Sequence, residues 1–206
     1  MSEQRTAEWF AQRCGRVTAS RLSDVVAKTK SGWGASRANY AAQLIAERMT
    51  GVPTESWQNA EMKWGTEQEP LARSAYAFHV DAEVAECGFI VHPKIEMSGA
   101  SPDGLVGDTG LVELKCPNTA THIDTLLGEP IANKYVLQMQ WQMACTGRAF
   151  CDFVSFDPRL PEDLRIFVKR IHRDEQLIGT LERDVVLFLQ EIETKVAALR
   201  GLMRAA

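Results

Sequence analysis

The stretch from residue 101 to 116 constrains the fold of this 206-residue chain more than any other. Two strand-like runs, Ser101 to Val106 and Leu111 to Cys116, are joined by Gly107-Asp108-Thr109-Gly110. A short turn rich in glycine and aspartate folds the second run back beside the first as a hairpin. Taken alone, Pro102-Asp103-Gly104 is a turn signal, and Glu113-Leu114-Lys115 is an ordinary strand end. Together they bring Asp103 and Glu113 to one end of the hairpin. Glu113 and Lys115, two apart on a strand, project from one face while Leu114 points to the core.

The rest of the chain sets this hairpin in a single α/β domain, a central mixed β-sheet flanked by helices. Thr6 is placed to cap a helix from Ala7 to Cys14, stopped by Gly15, and Thr18 or Ser20 to cap a second. Lys28 to Ala35 reads as a mobile loop. A helix is expected from about Ser36 to Thr50, ending at Gly51, and another from Asn59 to His79, interrupted near Gly65 and restarted at Pro70. Strands are expected over Val84 to His92, Ile95 to Ala100, Ala149 to Phe156 and Arg165 to His172. Helices are expected over Thr119 to Leu127, Asn133 to Thr146 and from Asp174 onward. This divides the chain into a helical portion over about 1–80, a core over about 81–173 and a terminal helix over about 174–200.

Charge is unevenly spread. The net charge of -4 excludes a polycation that holds nucleic acid through a general field. Yet residues 1–50 carry eight basic and four acidic side chains, and residues 51–100 carry three and eight. That asymmetry fits either an ordinary solvated surface or one basic face built by the first segment. The five cysteines are odd in number and never spaced C-x-x-C. They point to buried thiols in a reducing, cytoplasmic compartment rather than a disulfide framework or a metal clip. No apolar run approaches the roughly 20 residues that span a bilayer, and no signal-peptide pattern is expected at the start.

Two carboxylates and an ammonium on one patch suit a hard divalent cation beside a phosphate. Mg²⁺ takes oxygen ligands and completes its shell with water and substrate. Lys115 is placed to orient an attacking water or help deprotonate it.

The spacing P-D-x(9)-E-L-K, on Asp103, Glu113 and Lys115, resembles the PD-(D/E)XK nuclease motif. Its surroundings, S-P-D-G-L through G-L-V-E-L-K-C-P, resemble the lambda-exonuclease or YqaJ-like viral recombinase family. So do R-C-G-R-V-T-A-S (Arg13 to Ser20), W-G-T-E-Q-E-P-L-A-R (Trp64 to Arg73) and Y-V-L-Q-M-Q (Tyr135 to Gln140). These blocks stand in family order over most of the chain.

The resemblance implies a restriction-endonuclease-like core holding two Mg²⁺ ions, with Mn²⁺ as a substitute. Asp103 would bridge the metals, and Glu113 and the Leu114 carbonyl would ligate one. Glu69 would complete the site and Lys115 would position the nucleophile. Arg13, Thr18, Ser20, Ser101 and Gln138 match the pocket for a 5′-phosphate. Without that match, Ser20 reads equally as a helix cap and Gln138 as a core amide sharing a helix face with Tyr135 and Gln142. Met62 resembles the position of an apolar wedge that separates strands, although a helical methionine is more often core. Trp33, Trp57, Trp64 and Trp141 could stack on bases, with burial the commoner fate.

The activity implied is processive 5′ to 3′ digestion of linear duplex DNA with a 5′-phosphorylated end, releasing mononucleotides and leaving a 3′ single-stranded tail. The implied assembly is a homotrimeric ring, with a basic bore and an acidic exterior, that works with a single-strand annealing protein and no membrane. The alternatives are another PD-(D/E)XK endonuclease or repair nuclease, and a catalytically dead module that binds DNA ends.

Overall fold

The computed structural model describes residues 4–30, 32–54 and 60–205, with side chains to residue 203. The chain begins with α1 (Ala7–Arg13), where the Thr6 side chain accepts from the Trp9 amide as expected. After β1 (Val17–Thr18) come a 3₁₀ turn (Ala19–Arg21) and the single turn of α2 (Leu22–Val25). Neither Thr18 nor Ser20 caps α2, because Thr18 is extended in β1 and Ser20 lies inside the 3₁₀ turn. In place of the expected loop, β2 (Lys28–Thr29) and β3 (Gly32–Trp33) pair as a small hairpin.

Two long helices follow. The first, α3 (Ala35–Thr50), stops at Gly51, whose φ of +71° suits a residue without a side chain. The second, α4 (Ala60–Val80), runs unbroken through Gly65 and Pro70, contrary to the expected interruption. Burial of Ala72 and Tyr76 against the sheet outweighs the backbone hydrogen bond that Pro70 removes. The Asn59 start expected for α4 and the side chain of Trp57 lie outside the described residues.

The next strands are short: β4 (Val84–Ala85), β5 (Ile90–Val91), β6 (Ser98–Ala100) and β7 (Gly104–Val106). They are followed by β8 (Gly110–Lys115), α5 (Thr119–Leu126), α6 (Asn133–Thr146), β9 (Phe150–Phe156), β10 (Ile166–His172) and α7 (Glu175–Ala205). The run from Val84 to His92, expected as one strand, divides into β4 and β5, which belong to different sheets.

The main sheet is mixed, in the order β10-β9-β8-β7-β4, with only β8 and β9 parallel. The second sheet is β1-β6-β5. Helix α6 is buried on most sides. Leu137, Trp141, Ala144 and Cys145 pack with α2, α3 and α7, while Met139 and Met143 pack with Leu111, Cys151 and Phe153 of the main sheet. The face left over carries Gln138 and Gln142 toward β8.

Hairpin β7–β8 lies in the middle of the main sheet. Its turn uses Gly107 at φ +50°. At Gly104 a Cβ would come 2.3 Å from Val84 and 2.9 Å from Val112, so only glycine lets the three strands close up. Asp103 therefore sits at a fixed point, one residue before the strand begins. Among the described residues, no helix is long and apolar enough to cross a membrane.

Candidate active site

The end of the β7–β8 hairpin opens into a cavity of about 650 Å³. Its walls include Arg13, Ser20, Met62, Glu69, Ser101, Asp103, Glu113, Leu114, Lys115 and Gln138. Ten side chains spread over 126 positions of sequence thus meet in one place, through α1, the 3₁₀ turn, α4, β8 and α6.

Glu113 is fully buried, which the strand pattern alone did not show. Residues 110–114 are buried throughout, because β8 is covered on both faces. Three donors converge on the Glu113 carboxylate. Gln138 Nε2 reaches Oε1 at 2.6 Å, Gln142 Nε2 reaches Oε2 at 2.5 Å, and the Lys115 ammonium pairs with Oε1. Asp103 faces the same end of the strand, its Oδ2 accepting the Leu114 amide at 2.7 Å.

These neighbours set the electrostatics. Burial pushes the Asp103 carboxyl well above its ordinary range, and the charge of Glu113 adds to this. Lys115 and the Leu114 amide act in the opposite sense. Burial would lower the Lys115 ammonium, yet Glu113 and Asp103 outweigh it and hold the group above its ordinary value. Lys115 therefore remains an ammonium at neutral pH. Cys116, next along, is pushed to about 12 by burial and then by Glu69 and Asp103, so it stays a thiol.

The donors suit a hard cation. Asp103 and Glu113 supply carboxylate oxygens, Leu114 with its carbonyl follows Glu113 directly in sequence, and one lysine leaves the buried negative charge under-compensated. Glu69, expected to complete a metal site, has its carboxylate engaged by Arg5 and by Arg73, the latter at 2.9 Å. Among the described residues no three His, Cys, Asp or Glu side chains form a metal-binding group by themselves. An ion here would draw the rest of its shell from water and phosphate.

The cavity wall that carries Arg13 is built on α1. The Arg13 guanidinium lies 4.0 Å from the centre of the Trp9 ring, and its Nη1 is 3.5 Å from Ser101 Oγ. Trp9 Nε1 donates to the same hydroxyl at 2.9 Å. Burial lowers Arg13 to about 10, against the opposing charges of Tyr40 and Glu47, so it keeps its charge at neutral pH.

The family model for the YqaJ-like viral recombinase domain matches residues 8–149. The chain belongs to the YqaJ-like viral recombinase family. Over 98% of its length it is 52% identical to an alkaline exonuclease (LHK-Exo) from Laribacter hongkongensis, covering all of that chain at a TM-score of 0.90. The same figures hold for the structure of that exonuclease in complex with dAMP. A phage-related exonuclease from Haemophilus somnus 129PT shares the fold, with a TM-score of 0.69 at 16% identity, over 89% of this chain and 96% of that one. An uncharacterized protein, R354, of Acanthamoeba polyphaga mimivirus is 27% identical over 170 residues, or 74% of this chain. The chain spans only 29% of the length of that viral relative.

Within the YqaJ-like cavity, two assigned residues stand differently from the expectation. Thr18 lies behind the main wall, in an adjoining cavity of about 470 Å³, with its hydroxyl 3.4 Å from Ser20 Oγ. The Gln138 amide, assigned to a phosphate, is hydrogen-bonded to Glu113. Met62 is 48% exposed on the cavity wall, which removes the reading of it as a core side chain. Among the tryptophans, Trp141 is buried, Trp33 is exposed beneath the Arg37 guanidinium, and Trp64 is half-buried under Arg159.

Arg5, Trp9 and Arg73 were not anticipated from the sequence as site residues, and Gln142 only as a neighbour of Gln138 on one helix face. Trp9 and Arg13 carried a usable signal, being four apart on one helix and so stacked on one face. Arg73 stands four after Glu69 and Gln142 four after Gln138, the same spacing, whereas Arg5 carried no signal because it reaches Glu69 from 64 residues away.

Proposed function

We propose that this chain is a metal-dependent deoxyribonuclease that digests the 5′-ended strand of linear duplex DNA from its end. It releases mononucleotides and leaves a 3′ single-stranded tail. The carrying observation is the meeting of Asp103, Glu113 and Lys115 with Arg13 and Ser101 around one cavity. The first group suits hydrolysis of a phosphodiester and the second suits capture of a terminal phosphate. Family membership and 52% identity to an alkaline exonuclease across the whole chain support the class of activity. The complex of that exonuclease with dAMP supports a mononucleotide product.

Each residue has a part in this reading. Arg13, flattened against Trp9, offers a planar fork to phosphate oxygens, and Ser101 and Ser20 add hydroxyl donors without bulk. Asp103 and Glu113, with Glu69 on the same cavity wall, would hold the divalent ion, Mg²⁺ or Mn²⁺, through hard oxygen donors. When bound, a pair of such ions supplies charge neutralisation at the phosphate and an acidified water. Gln138 and Gln142 fix the rotamer of Glu113. Lys115, protonated and half-buried, orients the attacking water. Met62, exposed on the wall, meets the terminal base pair and separates the strands.

The same reading gives the chain a homotrimeric ring that encloses DNA and explains processivity, a helical DNA-binding portion over about 1–80 and an annealing protein as partner. Its place of work is the cytosol, in keeping with five free thiols, four of them buried. The test is digestion of matched linear duplexes with 5′-phosphoryl and 5′-hydroxyl ends. Arg13→Ala should slow the phosphorylated substrate by about tenfold or more, since hydrogen bonds to charged groups contribute about 1.5–3 kcal/mol, and leave the hydroxyl substrate nearly unchanged. Equal slowing of both would contradict the phosphate pocket.

A further inference from the structure

Beside the cavity, the segment at residues 4–6 crosses from one wall to the other. Gln4 Nε2 donates to the carbonyls of Cys87 at 2.9 Å and Pro102 at 2.8 Å, which anchors the segment next to Asp103. Thr6 is fixed as the cap of α1. Between these two anchors, Arg5 adopts φ +68°, a left-handed conformation that side-chain-bearing residues other than Asn and Asp rarely take. Its guanidinium then meets the carboxylate of Glu69.

Glu69 is thereby held between two cations. Arg73 takes Oε1 at 2.9 Å while also donating from Nε to the Asp103 carbonyl at 3.1 Å, so it is part of the wall. Arg5 takes Oε2 and is the more exposed of the two, at 46% of its side chain against 15%. It also lines both the main cavity and the adjoining one, as Arg13 does. A guanidinium in this position has two partners within the same space, the Glu69 carboxylate and any phosphate that enters.

We propose that Arg5 is an internal cation that occupies Glu69 before a divalent ion is bound and passes to a DNA phosphate once the ion claims that carboxylate. This rests on the metal-dependent reading above and adds a residue that couples ion uptake to substrate binding. A divalent ion at Glu69 would be a third positive group on a carboxylate that already carries two, and Arg5, the more exposed guanidinium, is the one that repulsion expels while Arg73 stays in the wall. The expelled guanidinium keeps its charge and finds phosphate at the same cavity. Arg5 is then a phosphate-binding residue in the loaded enzyme and a competitor of the metal in the free one.

The test uses Arg5→Asn, because asparagine tolerates the left-handed backbone and removes only the cation. Calorimetric titration with Mn²⁺ should show affinity about three- to tenfold tighter than wild type, the scale of one lost ion pair plus one removed repulsion. Arg5→Lys should stay within about twofold of wild type, since it keeps the charge. With Ca²⁺ in place of Mg²⁺, Arg5→Asn should bind a 5′-phosphorylated duplex more weakly, with a salt slope smaller by about one. Unchanged Mn²⁺ affinity overturns the proposal. Tightening by Arg5→Lys as large as that by Arg5→Asn does so too, as does tighter Mn²⁺ binding without loss of DNA affinity. A wild-type protein that takes up no Mn²⁺ counts instead against the metal-dependent reading itself.

Discussion

Replacing Lys115 by methionine keeps the stem of the side chain near the Tyr135 ring, 5.0 Å from the ammonium, and removes only the charge. Glu113, fully buried, and Asp103, half-buried, are then left with no ammonium between them. Breaking a buried pair by removing one partner costs about 3–5 kcal/mol. Lys115 retains 27% of its side chain in contact with solvent, which sets the expectation at the low end, about 3 kcal/mol. For a domain of this size that lowers the thermal midpoint by about 6–12 °C.

The pH dependence has a definite sign. Lys115 is raised in the folded state, so its stabilisation is complete below its ordinary value and is lost only in strong alkali. At pH 8 the full effect is therefore present. Asp103 is also raised, so the cost of its charge begins above the ordinary carboxylate range, near 4, and grows as pH rises through the folded value. Removing Lys115 steepens this, and the gap between variant and wild type should narrow from pH 8 to pH 5. Mg²⁺ should narrow it as well, since the ion gives the carboxylates of the variant the positive charge that Lys115 gives them in the wild type and so binds the variant more tightly. Thermal unfolding in chelator and in Mg²⁺ at both pH values is the assay. Equal midpoints at pH 8 in chelator, or a gap independent of pH, would refute the electrostatic account.

Two further variants separate function from stability at the same place. Asp103→Asn should abolish nuclease activity and raise the midpoint in chelator at pH 8, because it deletes a half-buried charge next to Glu113 and keeps an acceptor for the Leu114 amide. The gain should vanish near pH 4, and a lower midpoint at pH 8 would contradict the raised carboxyl. Gln142→Leu removes a buried donor from Glu113 and should cost about 2 kcal/mol with a fall in kcat, read by denaturant unfolding and steady-state digestion. An unchanged kcat would mean that Gln138 and Lys115 hold Glu113 without it.

Local pattern was enough to read α6, β9, β10 and the β7–β8 hairpin. Each is set by its own periodicity, cap or turn, as with Gly147 ending α6 at φ +73° and Asp174 accepting the Leu177 amide ahead of α7. The continuity of α4 was not legible, because what overrides Gly65 and Pro70 is the packing of Ala72 and Tyr76 on a distant sheet. The division of Val84 to His92 was hidden for a related reason: β4 and β5 find partners, β7 and β6, that local alternation does not specify. At the site, motif spacing and family resemblance located the carboxylates and Arg13. They did not show that Glu113 is wholly buried, nor that Gln138 turns to it, since both follow from α6 lying across β8. Arg5 and Arg73 reach Glu69 from 64 residues and one helical turn away, and only the folded chain shows that they share one carboxylate.

The central claim is that this site hydrolyses DNA from an end. It is tested most directly by incubating a 5′-phosphorylated linear duplex and a covalently closed circle of the same sequence with the protein and Mg²⁺. The account predicts release of mononucleotides from the linear duplex alone, abolished by chelator, with one strand remaining. Cleavage of the closed circle, or an intact linear duplex in the presence of Mg²⁺, would contradict it.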